Sequence, residues 1–304
     1  MASTSHQVIG VDLGGTAIKL ARFDVSGVLL AELEQATPQP ATPGAVTMAI
    51  VEAIEQLDPD HQALWVGLGL PGPMDAAARV ARVCINLPGW EDVPLADWLE
   101  ARLDRQVTLA NDGNCAVVGE AWKGAARGFQ DVVLLTLGTG VGGGVLLSGQ
   151  LFTGYNGAAA EPGLIGITPE GPSCNSGNSG SLEQFANIAA LRRLCDVDPR
   201  ELGRRADQAD PEALEIWRRY GTTLGVGVSS LVYVFTPQLV LLGGGLAGAA
   251  DHFLPAVEAE INRRVQAVSR ENLRIQACSL GNGAGRLGAA CLALQRLGGM
   301  MDRL

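Results

Sequence analysis

Asp12 stands just before Gly14-Gly15-Thr16, and the same pairing of glycine with threonine returns at Gly138-Thr139-Gly140. Glycine lets backbone N–H groups come close to an anion and threonine adds a hydroxyl donor, so the two segments could cradle the oxygens of a polyphosphate. A carboxylate at Asp12 could hold a hydrated Mg²⁺ against such phosphates, and Lys19 could add positive charge. Taken singly, each segment reads as a plain hairpin turn and Lys19 as an exposed strand residue. Both segments together with Asp12 favour the phosphate reading. A P-loop of the form G-x-x-x-x-G-K-[ST] is absent, which argues against that class of ATPase. The dinucleotide pattern G-x-G-x-x-G matches at Gly67/Gly69/Gly72, Gly138/Gly140/Gly143 and Gly283/Gly285/Gly288, weak evidence in a chain with 40 glycines. Only the third match lies between a strand and a helix, and the chain runs on only to Leu304, short of the next strand and its acidic ribose ligand.

The elements that must hold these residues are legible as apolar runs. Val8–Gly14, Ile18–Phe23 and Val28–Gln35 read as an antiparallel meander whose first turn is Gly14-Gly15-Thr16. Helical spacing follows over Gly44–Leu57, then a strand at Leu64–Leu70, an amphipathic stretch at Leu95–Leu103 and a strand at Val107–Ala110. After a helix at about Gly113–Lys123, Val132–Gly138, Gly142–Leu147 and Gln150–Thr153 repeat the opening device. Such an echo predicts a duplicated α/β lobe, with a hinge near Asn111. Gly154–Ser181 lacks a sustained period and reads as a long functional loop. Helices are expected at Leu182–Cys195, Pro199–Ala206, Pro211–Val234, Asp251–Ala267 and Ala284–Leu297, with strands at Leu239–Leu242 and Arg274–Ala277.

Composition narrows the function. With 22 Lys+Arg against 32 Asp+Glu and a net charge of −10, no basic face exists to attract nucleic acid. The 6 cysteines (Cys84, Cys115, Cys174, Cys195, Cys278, Cys291) lack paired spacing, which fits reduced thiols in the cytoplasm. Met1–Gln7 has no signal-peptide character. Thr222–Leu242 is free of Lys and Arg, but Ser229, Ser230, Pro237 and Gln238 split it into a buried helix and a buried strand, so no membrane association is expected.

Val8–Lys19, Leu137–Gly144 and Leu241–Gly248 resemble the phosphate-1, phosphate-2 and adenosine motifs of the sugar-kinase/actin/heat-shock-protein superfamily. Within it the chain is similar to the ROK family of repressors, uncharacterised reading frames and sugar kinases, from about Val8 to Leu297. The pieces that carry this are Gly69-Leu-Pro-Gly-Pro-Met-Asp75, Asn86-Leu-Pro-Gly-Trp90, Asn111-Asp112-Gly-Asn, Ala160-Glu161-Pro-Gly and Gly180-Ser-Leu-Glu183. The resemblance implies an α/β, two-lobed actin-like ATPase fold of duplicated ribonuclease-H-like domains with an interlobe active-site cleft. The lobes would be 1–110, completed by a C-terminal helix at 284–304, and 111–283. It further implies an ATP- and Mg²⁺-dependent hexose kinase, a cytoplasmic homodimer. ATP would lie between the two glycine/threonine turns, with Gly243, Gly244 and Gly245 at its adenosine. Asp112 would be the catalytic base. Asn111, Glu161 and Glu183 would bind sugar hydroxyls, with Gly69 and Asn86 as weaker candidates; carboxylates and amides suit that task.

One departure from the family pattern concerns zinc. Many relatives bind Zn²⁺ through Glu-x-Gly-His followed by Cys-x-Cys-Gly-x-x-Gly-Cys; this chain has Leu164 for the histidine and then Cys174-Asn-Ser-Gly-Asn-Ser-Gly-Ser181. Only Cys174 remains of the four ligands, and His6, His61 and His252 lie elsewhere, so no zinc is expected. The leading expectation is a glucokinase acting on the 6-hydroxyl. Kinases for fructose, mannose or an N-acetylhexosamine, a non-catalytic sugar sensor, a sugar-responsive repressor and polyphosphate as donor are the alternatives. A repressor would need a helix-turn-helix ahead of Val8, where only Met1–Gln7 stand.

Overall fold

The computed structural model describes residues 6–85 and 87–297. Three antiparallel strands open the chain: β1 (Gln7–Leu13), β2 (Ala17–Asp24) and β3 (Leu29–Ala36). The side chain of Thr42 caps α1 (Pro43–Leu57), which begins on a proline whose missing N–H costs nothing there. β4 (Ala63–Leu70), the short pair β5 (Ala81–Val83) and β6 (Glu91–Val93), α2 (Leu95–Leu103), β7 (Gln106–Asn111) and α3 (Asp112–Lys123) follow. The first sheet has the order β3-β2-β1-β4-β7, with β1, β4 and β7 parallel. Parallel neighbours need crossover connections, and α1 and α2 lie in these. Ile9, Val11, Val66, Leu68, Val107 and Leu109 are wholly buried, as strands covered on both faces require.

β8 (Val132–Leu137), β9 (Val141–Leu147) and β10 (Gln150–Leu151) start a second sheet. After α4 (Leu182–Ala186), α5 (Ile188–Leu194), α6 (Pro199–Asp207) and α7 (Pro211–Phe235) come β11 (Leu239–Gly243), α8 (Ala250–Arg264), β12 (Arg274–Ala277) and α9 (Ala284–Arg296). Its order, β10-β9-β8-β11-β12, repeats that of the first sheet: a three-stranded antiparallel edge followed by two parallel strands. The duplication anticipated from the repeated turn is thus present in the topology. No helix among the described residues is long and apolar enough to cross a membrane. The apolar run after Thr222 ends its helix at Phe235, where Thr236 turns left-handed (φ 42°) ahead of Pro237.

The chain divides into two compact units. One comprises Met1–Gly128, Gln150–Ala160 and Asn282–Leu304; the other comprises Phe129–Gly149 and Glu161–Gly281. The first division therefore falls after Gly128 and not at Asn111. The reason is close helix packing: a Cβ on Gly288 of α9 would run into the Cys115 carbonyl of α3, and one on Gly119 into the Ala284 carbonyl. In the same way α9 rests on Gly10 of β1 and Gly67 of β4, with the Arg286 and Ala289 carbonyls where side chains would stand. α3 and α9 thereby join the first sheet.

One further expectation is corrected, and one is given detail. The single helix expected over Leu182–Cys195 is two, because Asn187 takes an extended conformation and its side chain caps α5 by accepting the Ala190 N–H at 2.7 Å. The long loop from Gly154 to Ser181 carries a 3₁₀ turn at Pro162–Leu164 and the β-bridges Gly166–Ser181 and Ser173–Ser179.

Candidate active site

In the first unit, the strand register sets Asp12 beside Gly69 and Gly69 beside Ala110. These are the carboxyl ends of three parallel strands, where open α/β sheets bind ligands. Asn111 ends β7 and caps α3: its Oδ1 accepts the N–H groups of Gly113 (2.9 Å) and Asn114 (3.2 Å), and its Nδ2 donates to the Gly72 carbonyl at 3.2 Å. Capping by Asn111 spares Asp112, whose carboxylate accepts the Gly113 N–H at 2.8 Å and is also met by its own backbone N–H. Asp112 keeps access to solvent. Burial by the surrounding protein nonetheless raises its carboxyl above the ordinary aspartate range, against the pull of those two N–H groups. Gly69 is buried, and a Cβ there would lie 3.0 Å from the Cys115 sulfur, which gives it a packing role. Asn86 lies outside the described residues.

The Asp12 carboxyl is pushed up to about 6, first by burial and then by the charge of Asp112, with Lys19 and Arg286 pulling the other way. A carboxyl raised on folding contributes its stability in full below its unfolded pKa and loses it as pH rises through the folded one. Asp12→Asn is therefore expected to match the parent in melting temperature near pH 3.5 and to gain on it between pH 4 and 6. The gain should level off above about pH 7 at on the order of 3 kcal/mol. Thermal melts of both proteins from pH 3.5 to 8 would show this; a constant difference would contradict it.

Lys19 faces Asp12 across the β1–β2 register. Two neighbours of Asp12 were not singled out from sequence. A Cβ on Gly285, in the first turn of α9, would lie 3.0 Å from the Asp12 carboxylate, and Arg286 adds its charge while pairing with Glu32 at 2.6 Å. The signal was the third G-x-G-x-x-G match, in which Gly285 and Gly288 serve the packing of α9.

The turn between β1 and β2 is held from behind. Gly14 donates to Ala17 (2.9 Å), Thr37 Oγ1 donates to the Gly14 carbonyl (2.7 Å), Gln39 to that of Gly15 (3.2 Å) and the Thr37 N–H to that of Thr16 (3.0 Å). The carbonyls are thus occupied, while the amides of Gly15 and of exposed Thr16 find no protein partner among the described residues. Such an array of donors suits an anion.

The second unit repeats this arrangement. Gly138 donates to Gly140 (3.0 Å), Ile188 donates to the Gly138 carbonyl (2.8 Å), and Thr139 is exposed. Gly243 pairs in register with Thr136 at the end of β8. Gly244, at φ 81°, passes so close to the Leu137 backbone that no Cβ fits. Gly245 and Gly248, with Arg200, Arg204 and buried Trp217, line a cavity of about 290 Å³. Both predicted sugar carboxylates of this unit lie at elements joined to Val141. Glu183 Oε2 accepts the Val141 N–H at 3.0 Å. Glu161 precedes the turn whose Gly163 presses on the Val141 carbonyl. The loop beyond Leu164 is tied by its own hydrogen bonds: Cys174 N–H to Asn178 (2.7 Å), Gly177 N–H to Cys174 (3.0 Å) and the Asn178 side chain to the Leu164 carbonyl (3.1 Å). Among the described residues no group of three or more His, Cys, Asp and Glu could hold a metal.

Two sheets of one topology, each with a glycine/threonine turn at its leading hairpin, define an actin-like ATPase fold of the sugar-kinase class. The ROK family pattern matches residues 8–296, and the chain belongs to that family. A glucokinase of Thermotoga maritima is 34% identical, over 96% of this chain and 99% of its own. The crystal structure of a ROK family glucokinase from Streptomyces griseus, in complex with glucose and AMPPNP, matches with a TM-score of 0.82 at 32% identity, covering 95% of this chain and 99% of that one. The ROK hexokinase of Thermus thermophilus matches at 0.81 and 35% identity, covering 96% and 99%.

Proposed function

We propose that the chain transfers the γ-phosphoryl group of ATP to glucose, with the sugar 6-hydroxyl as nucleophile. The observation that carries this is Asp112: a carboxylate left uncapped by Asn111, raised by burial and set at the carboxyl end of β7. A base whose affinity for protons lies nearer the working pH is the better acceptor. Asp112 takes the hydroxyl proton as the sugar oxygen bonds to the γ-phosphorus and the bond to ADP breaks. The transition state is loose, so positioning and charge supply most of the acceleration. Glu161 and Glu183 hold other hydroxyls of the sugar, and the Asn111 side chain steadies the start of α3.

Mg²⁺ fits the charge balance around Asp12. Magnesium commonly keeps several waters and uses one or two carboxylates with substrate phosphates, so a cluster of three protein ligands is not required. The charge of Asp112 helps to raise the Asp12 carboxyl, and a bound cation would offset it. Asp12 would hold the ion through water, and the bound ion neutralises phosphate charge. In the first unit the unpartnered amides of Gly15 and Thr16, with Lys19, suit phosphate oxygens; Gly138, Thr139 and Gly140 are assigned the same task through the family resemblance, and the cavity beside Gly245 takes the adenosine. Similarity to glucokinases over nearly the whole of both chains supports the choice of sugar and donor. A homodimer and a cytoplasmic place belong to the same reading through the family resemblance.

A coupled ADP-release assay with Mg·ATP against glucose, mannose, fructose, N-acetylglucosamine and N-acetylmannosamine tests this. Glucose should give the highest kcat/KM. Silence with all five sugars overturns the reading, and stronger turnover on another sugar reassigns the substrate. Purified protein is expected to hold less than about 0.1 equivalent of zinc by elemental analysis and to melt unchanged after chelator treatment, since structural zinc needs its thiolates. About one tightly held equivalent would refute this.

A further inference from the structure

We infer that Cys174 is a positioning residue: its thiol orients the Glu183 carboxylate and, through it, the Gly138–Val141 turn. The two oxygens of that carboxylate are held from different segments. Oε2 accepts the N–H of Val141, the first residue of β9, at 3.0 Å, and Oε1 accepts the Cys174 thiol at 3.4 Å. A thiol is a weak donor, but an ionised acceptor strengthens the bond.

Burial sets Cys174 apart within its loop. Between Gly171 and Gly180, most residues are exposed; Cys174 is 8% exposed and only Gly180 is also buried. The turn that follows it, closed by the Asn178 carbonyl and tethered to Leu164 by the Asn178 side chain, keeps the sulfur facing inward.

Glu183 needs such help. It sits on α4, a helix of five residues whose Ser181 makes no side-chain cap, too short to be rigid on its own. The turn in turn is shaped to the carboxylate: a Cβ on Gly140 would come within 2.6 Å of Glu183 Oε2. A carboxylate braced on both oxygens presents its remaining lone pairs in fixed directions. Cys174 thereby couples the loop, the predicted sugar ligand and the predicted phosphate turn. The coupling itself rests on this geometry; its kinetic consequence rests on the function proposed above.

The test compares Cys174→Ala and Cys174→Val, which remove the donor, with Cys174→Ser, which keeps one. The first readout is hydrogen exchange of the peptide carrying the Val141 amide. The second is the KM for glucose set against kcat. Loss of the thiol is expected to speed exchange at Val141 and to raise the KM about tenfold, the effect of roughly one hydrogen bond to a charged group, with kcat nearly unchanged. Serine should restore both to within about threefold of the parent, as its hydroxyl is the stronger donor. In a Glu183→Gln background the Ala change should cost much less, as a double-mutant cycle requires of coupled residues.

Exchange and KM unchanged in both donor-less variants, with native circular dichroism, would overturn the proposal. So would a serine variant no better than alanine. A parent protein without kinase activity, whose Val141 exchange still responds to Cys174→Ala but not to Cys174→Ser, would overturn the kinase reading and leave the coupling supported.

Discussion

Asp112→Asn is expected to lower kcat by about 10²–10⁴-fold, the usual worth of a positioned base, with little change in the KM for glucose. The fold should survive, because the cap of α3 is made by Asn111 and not by Asp112. Stability should rise slightly: burial disfavours the ionised carboxyl, and a neutral amide removes that penalty. Asp12 should respond as well, since the charge of Asp112 is one of the two causes that raise its carboxyl. Steady-state kinetics with calorimetric glucose binding separates the steps. A kcat within tenfold of the parent, with binding intact, would remove Asp112 from the role of base.

Gly288→Ala is expected to be the most damaging small substitution in the first unit. The added Cβ would collide with the Cys115 carbonyl and press on the backbone nitrogen of Gly119, so α9 and α3 must separate. Backbone on both sides leaves no flexible side chain to yield, and overpacking of this kind costs about 3 kcal/mol or more. The urea midpoint should fall accordingly, or the protein should fail to accumulate in soluble form. Gly203→Ala is the matched control: a Cβ there, in α6, meets only the Ala249 methyl at 3.9 Å. Alanine is the better helix former, so this change should be neutral or stabilising by up to about 1 kcal/mol. Equal losses in the two variants would refute the packing argument.

These two cases also mark where sequence reasoning succeeds and where it stops. The meander, the repeated turn and the duplicated α/β order were legible because each is written in windows of a few residues: apolar runs of strand length broken by Gly14-Gly15-Thr16 and Gly138-Thr139-Gly140. The identity of the capping residue was not, since Asn111 and Asp112 are both good caps and only backbone geometry chooses between them. The break at Asn187 was missed for a related reason: the apolar spacing continues through it, while the asparagine side chain turns back to start a new helix.

The chain's own order of residues determined its layered α/β class, its internal duplication, its acidic surface and the chemistry available in Asp12, Asp112 and the two glycine/threonine turns. Tertiary structure alone decided that α3 belongs with the first sheet, that Gly285 and Arg286 stand beside Asp12, and that Cys174 grips Glu183. The physical reason is range. Periodicity and turn chemistry act between neighbours in sequence, whereas Gly285 reaches Asp12 only because missing side chains let helix and strand backbones approach across most of the length of the chain.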